Sequence, residues 1–376
     1  MKIVLAGGGS GGHFYPLIAV AEALNQIAEE EKLVDLQLHY LADKPYDPRM
    51  LFENHITFKK IWAGKLRRYF SIWNLFDGIK TGMGLFRSVI SLYRIYPDVV
   101  FVKGGYPAFP IAFAAGLLRI PVVVHETDSV PGRTNTYAAK FARYIGISFG
   151  GVAKYFDHEK TALVGNPIRK RMLVPLKDGA YEFLDLEKDI PVILVTGGSQ
   201  GAKILNDMVL DALSELLDEF QVIHQTGPEN IEDAIARSTY LLKDHPNAQH
   251  YKLYPYLDET AQRMAAGIAS LVISRAGGAI FEFAAWGIPS ILIPITDSNG
   301  NHQRENAYEY ARTGAAIVIE ESNATPSILR SEVEHILRDN NLRARMSAAA
   351  RSFAKPEAAR LMAQAIIRIA LEHEQQ

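Results

Sequence analysis

Near the start of the chain, Gly7-Gly8-Gly9-Ser10-Gly11-Gly12-His13 joins the short apolar run Lys2–Ala6 to a stretch with helical spacing, Tyr15–Ala28. Glycines let a backbone turn tightly and approach a ligand closely. A helix start presents unpaired N–H groups and a partial positive charge, which suits an anion or a developing negative charge. His13 adds a group whose ordinary pKa of about 6.5 lets it take a proton near neutrality. The same loop satisfies the dinucleotide spacing at Gly7, Gly9 and Gly12, but that fingerprint wants an acidic residue about twenty positions on. Here the second strand ends at Asp43, considerably later. A tight turn without a ligand is the plainer use of such glycines.

Four further clusters follow strands in the same way. Gly197-Gly198-Ser199-Gln200-Gly201 lies between the strand Val192–Thr196 and a helix over Ala202–Leu217. Neither glycine loop ends in the Lys-Ser/Thr of a P-loop, which argues against nucleoside triphosphate hydrolysis. A diphosphate held by backbone N–H groups and the Ser199 hydroxyl fits this second loop, and so does a bare turn. Ser274-Arg275-Ala276-Gly277-Gly278-Ala279 leads into a helix bearing Glu282, a carboxylate that can accept from both ribose hydroxyls of a nucleotide or simply face solvent. Asn299-Gly300-Asn301-His302-Gln303-Arg304-Glu305-Asn306 is dense in amides, which donate and accept in fixed directions and so suit sugar hydroxyls; a capped polar loop has the same composition. His125-Glu126-Thr127-Asp128, followed by Pro131-Gly132-Arg133-Thr134-Asn135, stands after the strand Val122–Val124. Gly104-Gly105-Tyr106 holds the equivalent place after Val99–Val102. In open α/β sheets ligands bind outside the carboxyl ends of the strands, where both segments sit.

The elements that must position these residues alternate strand and helix. Leu36–Leu41, Ile145–Ile147, Leu271–Ser274, Ser290–Pro294 and Ala316–Ile319 complete a set of short apolar runs between helical stretches. Such runs predict α/β architecture with parallel sheets covered on both faces. The order strand, glycine loop, helix occurs twice, at Ile3 and at Ile193, so two doubly wound, Rossmann-like domains are expected. The domains are drawn over residues 1–164 and 190–352, with a polar linker over 165–189 that begins Gly165-Asn166-Pro167-Ile168-Arg169. A last helix over Pro356–Leu371, in the segment 353–376, is expected to pack back across the junction. The 376 residues suit two such cores.

Composition narrows the class. The net charge of −2 gives no global sign of a nucleic-acid binder. The chain has no cysteine, which excludes thiolate nucleophiles, disulfides and cysteine zinc sites and fits a reducing cytoplasm. The N-terminus lacks the long apolar core of a signal peptide. The longest apolar stretch, Phe109–Val124, is interrupted by Arg119 and Pro121 and is too short to span a bilayer. It reads as a buried helix feeding a buried strand.

Taken together and in order, GGSGGH, GGY, His-Glu with PGRTN, GNPIR, GGSQGA and the SRAG…E…HQ..NA region resemble the MurG family, the N-acetylglucosaminyltransferases of peptidoglycan synthesis. The resemblance spans nearly the whole chain. It implies two facing Rossmann-like domains of the GT-B architecture. It implies transfer of N-acetylglucosamine from UDP-GlcNAc to the C4 hydroxyl of the muramoyl sugar of lipid I, giving lipid II. It also implies a UDP-sugar site in the C-terminal domain and a lipid-acceptor and membrane site in the N-terminal one. Carried over position by position, substrate contacts fall on Ser10, Gly11, Gly12, Asp128, Arg169, Ser199, Gln200, Gly201, Leu257 near the uracil, Gly278, Ala279, Glu282 on the ribose, and His302, Gln303 and Asn306 on the sugar. Three departures stand out. Gly104-Gly105-Tyr106-Pro107-Ala108-Phe109-Pro110 lacks the Ser or Thr of the family's GGYxSxP, and the stretch from Arg275 to Glu282 is one residue short. The family's His-Glu-Gln-Asn here ends in Thr127-Asp128, so an amide that donates has become a carboxylate that accepts when ionised.

Inverting transfer needs a base for the acceptor hydroxyl and stabilisation of departing UDP. His13 is the candidate base, oriented by Glu126 or Asp128; a structural or phosphate-contacting histidine is the other use of that position. The Gly197–Gly201 loop, its helix dipole and Arg169 are expected to stabilise the diphosphate. The chain has no Asp-x-Asp, so neither metal nor other cofactor is expected.

Residues 59–94 hold Lys59, Lys60, Lys65, Arg67, Arg68, Lys80, Arg87 and Arg94 against Asp77 alone, interleaved with Trp62, Phe70, Trp73, Phe76 and Phe86. This suits anionic headgroups on the cytoplasmic face of a membrane, with Arg67, Arg68, Phe70, Trp73, Phe76 and Lys80 as contacts. A core helix with a solvated basic face is the alternative. Three other classes use the same loops: a Rossmann oxidoreductase, a sugar-nucleotide sensor and a sugar-nucleotide epimerase. They separate by whether UDP or NAD binds, whether turnover follows binding, and whether a lipid acceptor is needed.

Overall fold

The computed structural model of the protein describes residues 1–33, 35–64, 73–198, 200–296 and 301–374, with backbone alone over 73–80 and at 374. The chain divides into two compact units. Unit 1 is Met1–Lys170 with Lys355–Gln376, and unit 2 is Arg171–Ala354.

Unit 1 runs β1 (Lys2–Ala6), α1 (Gly11–Glu30), β2 (Gln37–Ala42), α2 (Pro48–Glu53), β3 (Ile56–Lys60), α3 (Trp73–Ile95), β4 (Val99–Val102), α4 (Ala108–Leu117), β5 (Val122–Glu126), α5 (Arg133–Ala139), β6 (Tyr144–Ile147) and β7 (Thr161–Leu163). Unit 2 runs α6 (Ala180–Leu184), β8 (Val192–Thr196), α7 (Lys203–Leu216), β9 (Gln221–Gln225), α8 (Ile231–Leu241), β10 (Tyr251–Tyr254), α9 (Glu259–Ile268), β11 (Ala269–Ser274), α10 (Ile280–Trp286), β12 (Ser290–Leu292), α11 (His302–Ala311), β13 (Ala316–Val318), α12 (Pro326–Arg338) and α13 (Asn340–Phe353). The chain then returns to unit 1 through α14 (Ala358–Glu374).

Among the described residues, unit 1 has a seven-stranded sheet in the order β3-β2-β1-β4-β5-β6-β7, and unit 2 a six-stranded sheet in the order β10-β9-β8-β11-β12-β13. Every pairing is parallel. In each sheet the order reverses once, between β1 and β4 and between β8 and β11. These reversals are the switch points, where the loops diverge to opposite faces and leave a crevice.

The central strands carry Val, Ile and Leu on both faces because helices cover both faces. Ile3, Val4, Leu5, Val99 through Val102 and Val122 through Val124 are fully buried. Each such side chain contributes roughly 1.5–3 kcal/mol of burial. In unit 2, α7 and α12 turn Leu205, Val209, Leu213, Leu329, Val333 and Ile336 onto the same core as Ile193 and Val195. In unit 1, α1 presents Phe14, Leu17, Ile18, Ala21, Leu24 and Ile27 at helical spacing. Met362, Ile366, Ile367 and Ala370 of α14 close that core from the other side.

Two expectations differ. The helix after the first glycine loop starts at Gly11, four residues before Tyr15, because Ser10 already has the extended N-cap conformation. Pro16 therefore lies inside α1, and its missing N–H leaves the Gly12 carbonyl without its i+4 donor. The polar segment over 165–189, expected as the linker, is divided between the two units. Gly165–Lys170 belongs to unit 1, and the rest packs in unit 2. There α6 meets α9, the Leu176 N–H donates to the Arg263 carbonyl at 2.9 Å, and Trp286 Nε1 donates to the Met172 carbonyl at 2.7 Å.

Candidate active site

In unit 1 the loops after β1 and β4 flank the switch point. The backbones of Gly8 and Gly105 meet there: a Cβ added to Gly105, whose φ is +82°, would stand 2.3 Å from the Gly8 carbonyl oxygen. The same atom would lie 3.2 Å from His13 Cδ2, so the imidazole sits where the two glycine loops converge. Ser10 caps α1 by backbone conformation alone, since its side chain makes no capping hydrogen bond. Gly11 is buried, whereas Gly12 reaches solvent. Tyr40 Oη donates to the Gly7 carbonyl at 3.0 Å and Tyr106 Oη donates to Asp43, which ties the loop to β2 and pins Tyr106. Burial, the Asp43 bond and the Asp43 charge all push the Tyr106 phenol up, so it stays a donor at neutral pH.

The loop after β5 is built around Glu126, which is 3% exposed. Its Oε1 accepts from the Asp128 N–H at 3.1 Å; its Oε2 accepts from the Gly132 N–H and Asn135 Nδ2, both at 2.9 Å. Burial and then the Asp128 charge push its carboxyl up, against the pull of those three donors. Glu126 is thus a brace for the 126–135 loop, while Asp128 at its crest is half-buried. Thr134 Oγ1 donates to the Gly105 carbonyl at 3.1 Å and closes this loop onto the one after β4. His125 is fully buried, with Nε2 donating to the Gly165 carbonyl at 2.8 Å. Burial, then Lys103, hold its imidazole well below the usual histidine range, so it is neutral. Arg169 is 8% exposed and stacks on the Tyr15 ring at 4.9 Å.

In unit 2 the loops after β8 and β11 flank the second switch point. Ser199 lies outside the described residues, Gln200 is exposed and Gly201 half-buried. Gln225, at the end of β9, organises this region. Its Nε2 donates to the Gly198 carbonyl at 3.0 Å and its Oε1 accepts from the Leu257 N–H at 2.9 Å. It therefore couples the second glycine loop to Leu257, itself 2% exposed. Ser274 Oγ donates to the Thr196 carbonyl at 2.7 Å. Gly278 and Ala279 are half-buried at the start of α10, and Glu282 in its first turn accepts from Gln262 Nε2 at 3.1 Å.

Arg275 points away from the loop surface. It donates to the Ile293 carbonyl at 2.8 Å and pairs with Glu321 at 2.6 Å, both side chains at 10% exposure or less. Glu321 also accepts from the Thr296 N–H and Oγ1. Although burial works against it, the Thr296 and Arg275 bonds hold the Glu321 carboxyl below the usual range. His302 and Gln303 are half-buried at the start of α11, with Gln303 Oε1 accepting from the Ile295 N–H at 3.3 Å. Asn306, expected on the sugar, lies under the loop after β11. It is 1% exposed, and its Nδ2 donates to the Ala276 carbonyl at 3.1 Å, so it braces the loop from beneath. Residues that sequence reasoning passed over are Lys103, Gln225 and Glu321; Asn135 entered only as the end of PGRTN. For Lys103 the signal was a lysine ending an otherwise apolar strand.

Of the expected membrane contacts, Arg67, Arg68 and Phe70 lie outside the described residues; Trp73, Phe76 and Lys80 fall on the backbone-only start of α3. Farther along α3, Phe86 and Tyr93 are 69% and 73% exposed, with Arg87 and Arg94 exposed beside them. Arg87 stacks on Trp62 at 4.7 Å. Lys59 and Lys60 belong to β3. Among the described residues no helix is long and apolar enough to cross a membrane, and no group of three His, Asp or Glu is placed to hold a metal ion.

Two Rossmann-like units in one chain, with glycine loops at both switch points, make the GT-B fold, and the family matches make the chain a glycosyltransferase. Residues 3–147 match the Glycosyltransferase family 28 N-terminal domain and residues 192–362 its C-terminal domain. The chain belongs to glycosyltransferase family 28 and, within it, to the MurG family. It is 34% identical to the UDP-N-acetylglucosamine–N-acetylmuramyl-(pentapeptide) pyrophosphoryl-undecaprenol N-acetylglucosamine transferase of Halothermothrix orenii, over 95% of both chains. It is 35% identical to the enzyme of the same name from Treponema denticola, over 87% of this chain and 85% of that one. The crystal structure of Acinetobacter baumannii MurG superposes with a TM-score of 0.73 at 26% identity, over 98% of this chain and 99% of that one.

Proposed function

We propose that this chain transfers N-acetylglucosamine from UDP-GlcNAc to the C4 hydroxyl of the N-acetylmuramoyl sugar of lipid I, making lipid II. The observation that carries the reading is the imidazole of His13 at the convergence of the two glycine loops of unit 1. That is the place in a doubly wound sheet where a base can meet a bound hydroxyl. The names of the relatives give the substrates.

In this mechanism His13 takes the proton of the acceptor hydroxyl as its oxygen attacks the anomeric carbon. The bond to the UDP oxygen breaks, and the sugar inverts. The departing diphosphate carries the new negative charge. The N-terminus of α7 faces it with N–H groups that have no partner within the helix, with no metal required. Ala202 at the α7 N-cap offers no side-chain cap to compete for them. Glu282 holds the ribose and α11 the sugar. Glu126 and Asp128 shape the acceptor loop. The protein acts at the cytoplasmic face of the membrane, where the basic and aromatic segment 59–94 meets anionic headgroups.

The test uses labelled UDP-GlcNAc, a short-chain lipid I analogue and EDTA. Label in a lipid II product is the expected result. Binding of UDP-GlcNAc without product would refute the assigned acceptor, and activity abolished by EDTA would refute the metal-free route. A His13→Ala enzyme with near-normal turnover would exclude His13 as base. Anionic vesicles should cosediment with the wild type and less with charge reversal at Arg67 and Arg68; equal cosedimentation would count against the membrane assignment.

A further inference from the structure

One buried amide in unit 2 joins loops that stand after three different strands. Gln225 is 6% exposed at the end of β9, the strand between β10 and β8 in the sheet. Its Nε2 donates to Thr196 Oγ1 at 3.3 Å, at the end of β8, and to the Gly198 carbonyl at 3.0 Å, in the loop that follows. Its Oε1 accepts from the Leu257 N–H at 2.9 Å, in the loop after β10. The middle strand thus reaches both of its neighbours at their carboxyl ends.

The ties continue to α7. The Gly198 carbonyl also accepts from the Gly201 N–H at 3.0 Å. The Thr226 carbonyl, next in the chain to Gln225, accepts from Asn206 Nδ2 of α7 at 2.9 Å. A Cβ on Gly201 would stand 1.9 Å from that same carbonyl oxygen, so the glycine loop lies backbone against backbone on the end of β9. At Gly198 the loop is open: nothing lies within 4 Å of an added Cβ.

A buried amide costs free energy unless both of its ends are bonded. A methionine would fill the same place in a strand without that cost. What the amide adds is direction: it donates from one end and accepts at the other, and so holds two loops at one distance. A nucleoside diphosphate makes the matching demand. Its base and its diphosphate are joined through one ribose, and both bind well only where the two receiving groups stand at the right separation.

We propose that Gln225 is a positioning residue that sets the spacing between the base end and the diphosphate end of the donor site, and so favours a whole nucleoside diphosphate over its parts. The inference rests on the donor reading above, with Leu257 near the uracil and the N-terminus of α7 at the diphosphate. Gln225 acts through Leu257 and Gly198 and does not touch the donor.

The test compares UDP with uridine, each read by displacement of a fluorescent UDP analogue from the full-length protein. Gln225→Met breaks both ties without adding charge. Gln225→Glu keeps an acceptor for the Leu257 N–H but loses the donor to Gly198. In both variants uridine should bind within about threefold of wild type, while UDP weakens on the order of tenfold, as a lost buried hydrogen bond and a shifted loop require. In turnover the donor KM should rise by about the same factor, with the acceptor KM within about twofold.

Equal weakening of uridine and UDP, or an unchanged ratio of the two, overturns the proposal. So does a fall in the ratio confined to one variant: for Gln225→Glu alone it reports charge repulsion, and for Gln225→Met alone a tie to Leu257 without one to Gly198. Should Gln225→Glu fail to fold, Gln225→Met decides by the same ratio; should neither fold, Gln225 serves the fold alone and the proposal falls. A wild type that does not bind UDP refutes the donor reading and the inference with it. A wild type that binds UDP, with the ratio intact in both variants, refutes this inference alone.

Discussion

Replacing Gly105 with alanine tests whether the convergence of the two loops is where the chemistry happens. The added Cβ would stand 2.3 Å from the Gly8 carbonyl oxygen, whereas real Cβ contacts essentially never fall under 3.0 Å. The loops must therefore part by roughly 0.7 Å, because the obstacle is backbone and cannot swing aside. At φ +82° an L-residue also costs about 1–2 kcal/mol. His13, 3.2 Å from the same Cβ, moves with its loop. A misplacement near 1 Å costs on the order of 10²-fold in rate. Gly105→Ala should thus lower kcat by about that factor, while the Kd for UDP-GlcNAc, proposed to be held chiefly in unit 2, stays within about twofold. Gly150→Ala is the control, since nothing lies within 4 Å of its added Cβ. Initial rates at saturating donor and acceptor, with calorimetric donor binding, give both numbers. A Gly105→Ala enzyme with wild-type kcat would refute the reasoning.

Three further outcomes are expected. His224 is fully buried, with Nδ1 accepting from Tyr251 Oη at 2.9 Å and Nε2 donating to Asn206 Oδ1 at 3.1 Å, and burial pulls its pKa to about 3. Its folded pKa is depressed, so the unfolded chain binds the extra proton; stability is full above about pH 6.5 and falls as pH drops toward 3. Between pH 6.5 and 4.5 the loss is roughly 2 kcal/mol, so the stability gap between wild type and His224→Gln, measured by denaturant unfolding, should narrow by about that amount. Asn306→Ala leaves the buried Ala276 carbonyl without its donor and should cost about 1–3 kcal/mol in melting without ligand; an unchanged melt with only a raised donor KM would mean a direct sugar contact instead. Deleting residues 355–376 removes Met362, Ile366, Ile367 and Ala370 from the unit 1 core. At roughly 2 kcal/mol for each larger side chain, that approaches the whole stability of a domain. Unit 1 should lose its cooperative calorimetric transition while unit 2 keeps its own.

The central strands were legible because burial on both faces leaves uninterrupted apolar runs, as in Val99–Val102, Val122–Val124 and Val192–Thr196. Four strands were not. In β9, Gln221, His224 and Gln225 are buried but hydrogen-bonded, Gln221 to the Glu187 and Ile190 carbonyls, so an interior strand reads as polar. The edge strands β3, β7 and β10 are half exposed and show no run to find. The glycine loops were legible because only glycine allows the close approach of Gly105 to Gly8. The hydrogen-bond partners of Glu126 and Asn306 were not, since a carboxylate with three donors or an amide under a loop is a fact of tertiary placement. Lys103 could be suspected from its position, but its bond to Thr127 Oγ1 is again a fact of placement.

The placement of α14 bears on how the protein is made. Unit 1 is discontinuous: its final helix is translated after all of unit 2. At about 5–20 residues per second, the α1 face of the first core waits some tens of seconds for its cover. During that interval Leu17, Ile18, Leu24 and Ile27 offer an open apolar surface to chaperones or to other nascent chains. Unit 2, contiguous in sequence, can finish first. The exit and return of the chain touch: a Cβ on Gly165 would lie 2.3 Å from Lys355 Cβ. A short splice there, carrying Lys355–Gln376 directly after Lys170, makes unit 1 a single uninterrupted stretch that can fold as it leaves the ribosome.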